Sequence, residues 1–233
     1  MSSASERREE LKAVWEQARA CQRCPQLAST RNTVVFGSGN ADADLMFVGE
    51  APGANEDLQG LPFVGQAGRL LDQLLSEIGL TRADVFVANV LKCRPPGNRD
   101  PLPQEIDSCQ DYLFRQLELI QPKVVCTLGN FATKLLRDDM TGITRVHGRD
   151  ELRQVGPRVV RLYPLFHPAA ALYTPAMLAT LREDFGRIPE LLERPAPEQP
   201  EPVAEPEPQP VIEEPELVLV PPEDPGDEQL GLF

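Results

Sequence analysis

The sequence predicts an α/β fold, a mostly parallel central sheet with helices on both faces. Two observations predict it. Short apolar runs at residues 45–48, 85–91, 123–129 and 159–166 are nearly continuous rather than alternating, as in strands covered on both faces. Segments of helical period lie between them, and strands alternating with helices favour parallel pairing. A third feature marks the working edge. After the first run comes Gly49-Glu50-Ala51-Pro52-Gly53 and then a loop to Gly68, with five glycines and two prolines over residues 49–68. Ligands of open α/β sheets bind at such strand-to-helix loops, beyond the carboxyl ends of the strands.

In chain order, Ser3 and Glu6 form a capping box for a first helix to about Ala20, with Leu11, Val14, Trp15 and Ala18 on one face. That helix delivers Cys21 and Cys24, a two-residue spacing that lets both thiolates point inward from one turn. The strand at 45–48 feeds the glycine-rich loop, whose acids Glu50, Glu56 and Asp57 and ring of Phe63 are available for chemistry and stacking. A helix follows, ending near Gly79. The second strand carries one amide, Asn89, near its carboxyl end, where a ligand contact is expected.

Residues 92–101 contain Lys92, Cys93, Arg94 and Arg99 among prolines and cannot be helical. A helix from about Pro103 brings Cys109. The cysteines read C-x2-C, 68 residues, then C-x15-C, closer to an iron–sulfur ligand set than to a zinc finger, with structural zinc as the alternative. Cys126 falls inside the third strand and reads as a core residue. Residues 143–149 alternate like a hairpin strand, and His147 within them reads as a surface residue. The last strand ends at His167-Pro168, and a final helix runs from Pro175 to about Leu192.

Together, Gly49 to Gly53 with Glu56 and Asp57, Pro62-Phe63-Val64-Gly65, Asn89 before Lys92-Cys93-Arg94-Pro95-Pro96-Gly97-Asn98-Arg99, and His167-Pro168 resemble the iron–sulfur, family 4 uracil-DNA glycosylases. The resemblance covers roughly residues 21–192. It implies that deoxyuridine is flipped from DNA into a pocket. There Phe63 would stack on uracil, Asn89 would read O4 and N3–H, and Glu56 would fill the space of thymine's methyl group. Backbone groups of Glu50 and Ala51 would line the pocket. His167 would stabilise the departing uracil anion through O2, and Glu50 would orient the water. In family 1 enzymes, with the motif Gly-Gln-Asp-Pro-Tyr, the water-positioning aspartate aligns with Ala51, so that role has no direct counterpart here. The resemblance further implies a 4Fe–4S cluster on Cys21, Cys24, Cys93 and Cys109. Lys92, Arg94 and Arg99 would contact DNA phosphates, and a wedge at residues 168–172, beginning with Pro168, would enter the minor groove.

The net charge of −13 is concentrated at one end of the chain. Residues 195–233 hold eleven acids, no Lys or Arg, and eleven of the 24 prolines, which leaves 25 acids against 23 basic residues in the body. The acidity therefore does not argue against a nucleic-acid ligand, although it supplies no global basic field. The expected organisation is a catalytic domain at 1–194, a disordered acidic tether at 195–228, and a peptide at 229–233. That peptide, with Gln229, Leu230, Leu232 and Phe233, resembles those that dock on the bacterial sliding clamp. With no long apolar run, no membrane partner is expected, and a cytoplasmic monomer is the reading adopted. The competing functional class is a non-catalytic iron–sulfur DNA-binding adaptor recruited by the clamp.

Overall fold

The computed structural model describes residues 3–200. Its elements are α1 (Ala4–Arg19), α2 (Pro25–Thr30), β1 (Ser38–Gly39), β2 (Leu45–Gly49), α3 (Ala54–Gln59), α4 (Gln66–Glu77), β3 (Val85–Asn89), α5 (Pro103–Ile120), β4 (Val124–Leu128), α6 (Asn130–Arg137), α7 (Ile143–Val146), β5 (Glu151–Val155), β6 (Arg158–Leu165), α8 (Pro168–Ala171), α9 (Pro175–Gly186) and α10 (Ile188–Glu193). The described residues form a six-stranded sheet in the order β1-β3-β2-β4-β6-β5. Its four inner strands run parallel, and the edge strands β1 and β5 are antiparallel to their neighbours.

Strand alternation accounts for the two layers of core. Met46, Val48, Phe86, Ala88, Val125, Val160 and Leu162 point to one face, where α1, α2, α5 and α6 cover them. Leu45, Phe47, Val85, Val87, Val124, Cys126, Tyr163 and Leu165 point to the other, under α4, α8, α9 and α10. Every residue of β2, β3 and β4 is buried, which is why these strands read as unbroken apolar runs. Cys126 is a core residue, as its sequence context suggests.

Local details differ from the sequence reading. The 143–149 stretch is not a strand; residues 143–146 are the helical turn α7. Ile143 and Val146 stand three apart, a spacing that shares one face of a helical turn but falls on opposite faces of a strand, so the apolar pair fits the turn and not the alternation expected from the sequence. The hairpin is instead β5 with β6, in register Glu151 with Leu162 through Val155 with Arg158. The final helix is broken into α9 and α10. Pro189 lacks a donor, and its ring opposes a continuous helix across that point. Within the glycine-rich loop, residues 54–59 form α3, ended by Gly60 at φ 72. Beyond Arg194 the chain remains on the domain as far as Gln199, whose side-chain amide bonds both the N–H and the carbonyl of Val159, at 3.1 and 2.9 Å.

Candidate functional site

The parallel register aligns Gly49 with Asn89 and Leu128 with Leu165. The strand ends bearing Glu50, Asn89 and His167 therefore meet at one edge of the sheet. A cavity of about 500 Å³ opens there, lined by Glu50, Ala51, Glu56, Phe63, Asn89 and His167 together with Arg99. A neighbouring hollow of about 750 Å³ shares Glu50 and His167 and continues along α6 past Lys134.

Each side chain is held by identifiable neighbours. Asn89 is 2% exposed, and its side chain makes no hydrogen bond to a described residue, so its donor and acceptor remain available to a ligand. Phe63 adopts φ 54, a backbone state that a bulky residue holds only when its surroundings enforce it. Its carbonyl accepts from Arg82 Nη2 at 2.9 Å, and Gly68 packs so closely that an added Cβ would overlap that same carbonyl oxygen. The Phe63 ring and the His167 imidazole lie 5.6 Å apart at 28°, forming one aromatic wall. Gly49 permits this packing: a Cβ there would overlap Asn89 Oδ1 and lie 2.9 Å from the Phe63 ring. Glu56 accepts the backbone N–H groups of Val64 and Gly65 at 3.0 and 3.1 Å, which fixes the chain just beyond Phe63.

His167 is the N-cap of α8, and its Nδ1 accepts from Ala169 N–H at 3.1 Å. Burial pushes its pKa down to about 4, opposed by the nearby Glu56 carboxylate. Glu50 is half-buried, and burial followed by the proximity of Asp100 raises its carboxyl above the ordinary value. The edge thus carries a neutral imidazole with its proton directed away from Ala169, and a carboxyl of raised pKa beside it. Asp57, grouped with these acids in the sequence, has a different task. It is 1% exposed and accepts from the backbone and side chain of Asn32 at 3.0 and 2.5 Å, holding the segment before β1 against α3.

Cys21, Cys24, Cys93 and Cys109 line one small enclosed hollow, with Arg31 and Lys92 at its wall. None is in a disulfide. Arg31 donates to Cys93 Sγ at 3.2 Å and to the Cys21 carbonyl at 2.7 Å, and Lys92 N–H donates to Cys109 Sγ at 3.3 Å. Among the described residues no three side chains form a ligand group for a single ion. Four thiols around one hollow, with N–H donors aimed at two of the sulfurs, are chemically suited to a bound group that is anionic and sulfur-ligated.

The candidate DNA contacts divide. Lys92 is 1% exposed and cannot reach a phosphate, so that assignment is corrected. Its ammonium lies in the core, and burial lowers its pKa to about 8. Pro168 is likewise buried, at the first turn of α8, and is not itself a wedge; beyond it Ala169, Ala170 and Tyr173 are exposed. Arg94 is part-exposed and bonded to Asn98 at 2.7 Å. Arg99 lines the cavity while forking onto Glu105 at 2.9 and 2.6 Å. Gln229, Leu230, Leu232 and Phe233 lie outside the described residues.

Sequence reasoning named Gly49 within the glycine-rich motif but not its packing against Asn89 and Phe63, and it did not find Arg82 or the Ala169 N–H, because each acts through a contact that adjacency does not reveal. His147 was read as a surface residue, yet it bonds Asp184 at 2.8 Å and packs on Phe166 with ring centroids 4.4 Å apart.

Comparison with known proteins agrees with this geometry. The family model described as the uracil DNA glycosylase superfamily matches residues 36–188. The chain is 46% identical over 188 residues to the type-4 uracil-DNA glycosylase of Archaeoglobus fulgidus, covering 78% of this chain and 94% of that protein. It is 46% identical to that of Sulfurisphaera tokodaii, covering 78% and 84% of the two chains. Against that of Thermotoga maritima the identity is 44%, covering 71% and 85%. With this family match and these relatives spanning most of its length, the chain belongs to the uracil-DNA glycosylase superfamily, among its type-4 members.

Proposed function

We propose that the protein is a monofunctional DNA glycosylase that turns deoxyuridine out of DNA and hydrolyses its N-glycosidic bond, leaving an abasic site. The observation that carries this reading is the convergence of Asn89, Phe63, Glu50 and His167 on one cavity, supported by the type-4 relatives. A non-catalytic adaptor would have no need of such a cavity.

Phe63 would stack on the flipped ring, and the free amide of Asn89 would accept from uracil N3–H and donate to O4. Cytosine reverses that pattern and would leave buried groups unpaired, which discriminates strongly. Glu56, fixed by the Val64 and Gly65 amides, would leave no room for a 5-methyl group. As the bond breaks, its electron pair moves onto uracil and positive charge develops on the sugar. The Nε2–H of neutral His167 would donate to O2 where the negative charge gathers. Glu50, as carboxylate, would orient the attacking water and favour the cationic sugar. Ala51 has no side chain that can do so.

Cys21, Cys24, Cys93 and Cys109 would hold a 4Fe–4S cluster, whose contribution when bound is to tie the segment after α1 to the 92–99 loop and α5. Arg94 and Arg99 are the proposed phosphate contacts, and the exposed turn after His167 is the proposed minor-groove element. Five unpaired thiols suit the cytoplasm, and no described helix is long and apolar enough to cross a membrane. We further propose that residues 229–233 dock on the bacterial sliding clamp, which would raise the local concentration of enzyme at replicating DNA.

The test is release of free uracil from a uracil-containing oligonucleotide by cluster-loaded protein, beside cytosine, thymine and hypoxanthine controls. Uracil-only release, lost in Asn89→Ala and His167→Ala, is expected. DNA binding without release of any base would overturn the enzymatic reading in favour of the adaptor.

A further inference from the structure

We propose that Lys92 is a positioning residue that ties the base-reading end of β3 to the four-cysteine centre, an inference that rests on the reading of Asn89 given above. Lys92 stands three residues after Asn89 and immediately before Cys93, and it is 1% exposed. An ammonium so buried must find partners inside the protein. Its Nζ donates to the Asn89 carbonyl at 2.8 Å and to Gln116 Oε1 at 2.6 Å, and lies 5.8 Å from the centre of the Phe36 ring. Gln116, itself fully buried, donates to the Phe36 carbonyl at 2.9 Å. Among the described residues no carboxylate pairs with this ammonium.

The main chain of Lys92 faces the other way. Its N–H donates to Cys109 Sγ at 3.3 Å, and its carbonyl accepts from Val35 N–H at 2.8 Å. One residue therefore holds the backbone of Asn89 with its side chain and a cysteine sulfur with its amide. Gln116 sits two turns beyond Cys109 on α5, so the second anchor of the ammonium belongs to the same rigid element as the sulfur. Displacement of Cys109 would move the partner of the Lys92 amide and, through α5, Gln116 as well, and Lys92 would carry that displacement to the Asn89 carbonyl at the strand end where the base is read. Four thiolates would also supply the negative charge that the ammonium otherwise lacks. A core-filling role makes a different demand, because methionine has nearly the same length and would meet it.

The test compares Lys92→Met with the natural protein, with and without iron, using two readouts. The first is steady-state kinetics on uracil-containing DNA. The second, independent of activity, is hydrogen exchange of the Val90 and Leu91 amides, which bond the Gly49 and Glu50 carbonyls at 2.9 and 3.0 Å and so report the end of β3. In cluster-loaded Lys92→Met, kcat should fall by about 10- to 100-fold with KM unchanged, as for loss of an outer-shell partner. Exchange at Val90 and Leu91 should quicken by about tenfold. Removing iron from the natural protein should quicken it similarly, and removing iron from the variant should add nothing further.

Unchanged kcat, a rise in KM alone, or additive effects of the variant and iron removal would each overturn the proposal. If Lys92→Met does not fold or load iron, Gln116→Leu takes its place, since it removes the α5 anchor and leaves Lys92; the same losses are expected, and an unaltered kcat would be the overturning result. Should the natural protein release no uracil at all, the reading of the cavity fails, while the exchange measurement still decides the role of Lys92.

Discussion

The backbone N–H of Ala169 donates to Nδ1 of His167 across 3.1 Å, so the imidazole presents its proton on Nε2, the atom free to meet a ligand. The turn of α8 that places this N–H also begins with Pro168, so the proline after the histidine serves the histidine's orientation.

His167 should remain neutral until the pH approaches about 4, because burial disfavours its charged form. Nitrogen chemical shifts of the labelled imidazole across pH 3–8 check this. The linkage has a definite sign: the unfolded histidine binds its proton near its ordinary value, whereas the folded one resists it, so stability contributed by this group falls as pH drops from about 6.5 to about 4. His167→Ala should remove that slope and lower kcat by about 100- to 1000-fold.

The acid limb of the pH–rate profile should belong to Glu50. Its carboxyl is raised by burial and by Asp100, and the role proposed for it requires the carboxylate, so activity should fade on acidification above the ordinary carboxylate value. Glu50→Gln should lower kcat and flatten that limb. A limb that survives unchanged would exclude Glu50 as its origin.

Two glycine substitutions should separate chemistry from folding. In Gly49→Ala the new Cβ meets side chains, the Asn89 amide and the Phe63 ring, whereas in Gly68→Ala it meets the backbone carbonyl of Phe63. Gly49→Ala should cost activity about 100-fold, as expected when a reading group is displaced by about 1 Å, with a modest change in Tm. Gly68→Ala should lower Tm more, because neither the helix nor the carbonyl can yield cheaply. Melting curves and kcat measured on both variants give the comparison.

Salt dependence distinguishes a surface cation from a buried one. Arg94→Ala should reduce the slope of log affinity for DNA against log salt by about one. Lys92→Met should leave that slope unchanged, since its ammonium has no access to phosphate.

The layers of the fold were legible because β2, β3 and β4 are buried on both faces and announce themselves as apolar runs. β5 was not, because it is an edge strand whose first four residues alternate between part-buried and exposed, with charged side chains among them, and only Val155 is buried. At the site, Asn89 and His167 could be read from their positions at strand ends, a local property of sequence. Lys92 could not be placed correctly: a lysine between Leu91 and Cys93, at the start of a basic, proline-rich stretch, reads as a surface cation, and only the packing of Gln116 and Phe36 around it shows otherwise. Arg82 was missed for the same reason, since its contact with Phe63 spans a whole helix.

The strand order also sets a sequence of events. β2 lies inside the sheet, β3 joins one side of it, and β4 then β6 join the other. In the course of synthesis the chain supplies Glu50, Phe63 and Asn89 well before His167, which is positioned only when β6 docks beside β4. Asn89 and the Phe63 ring are thus supplied before the imidazole that completes the aromatic wall with Phe63. On the role proposed for His167, a growing polypeptide acquires the capacity to cut only with its last parallel strand.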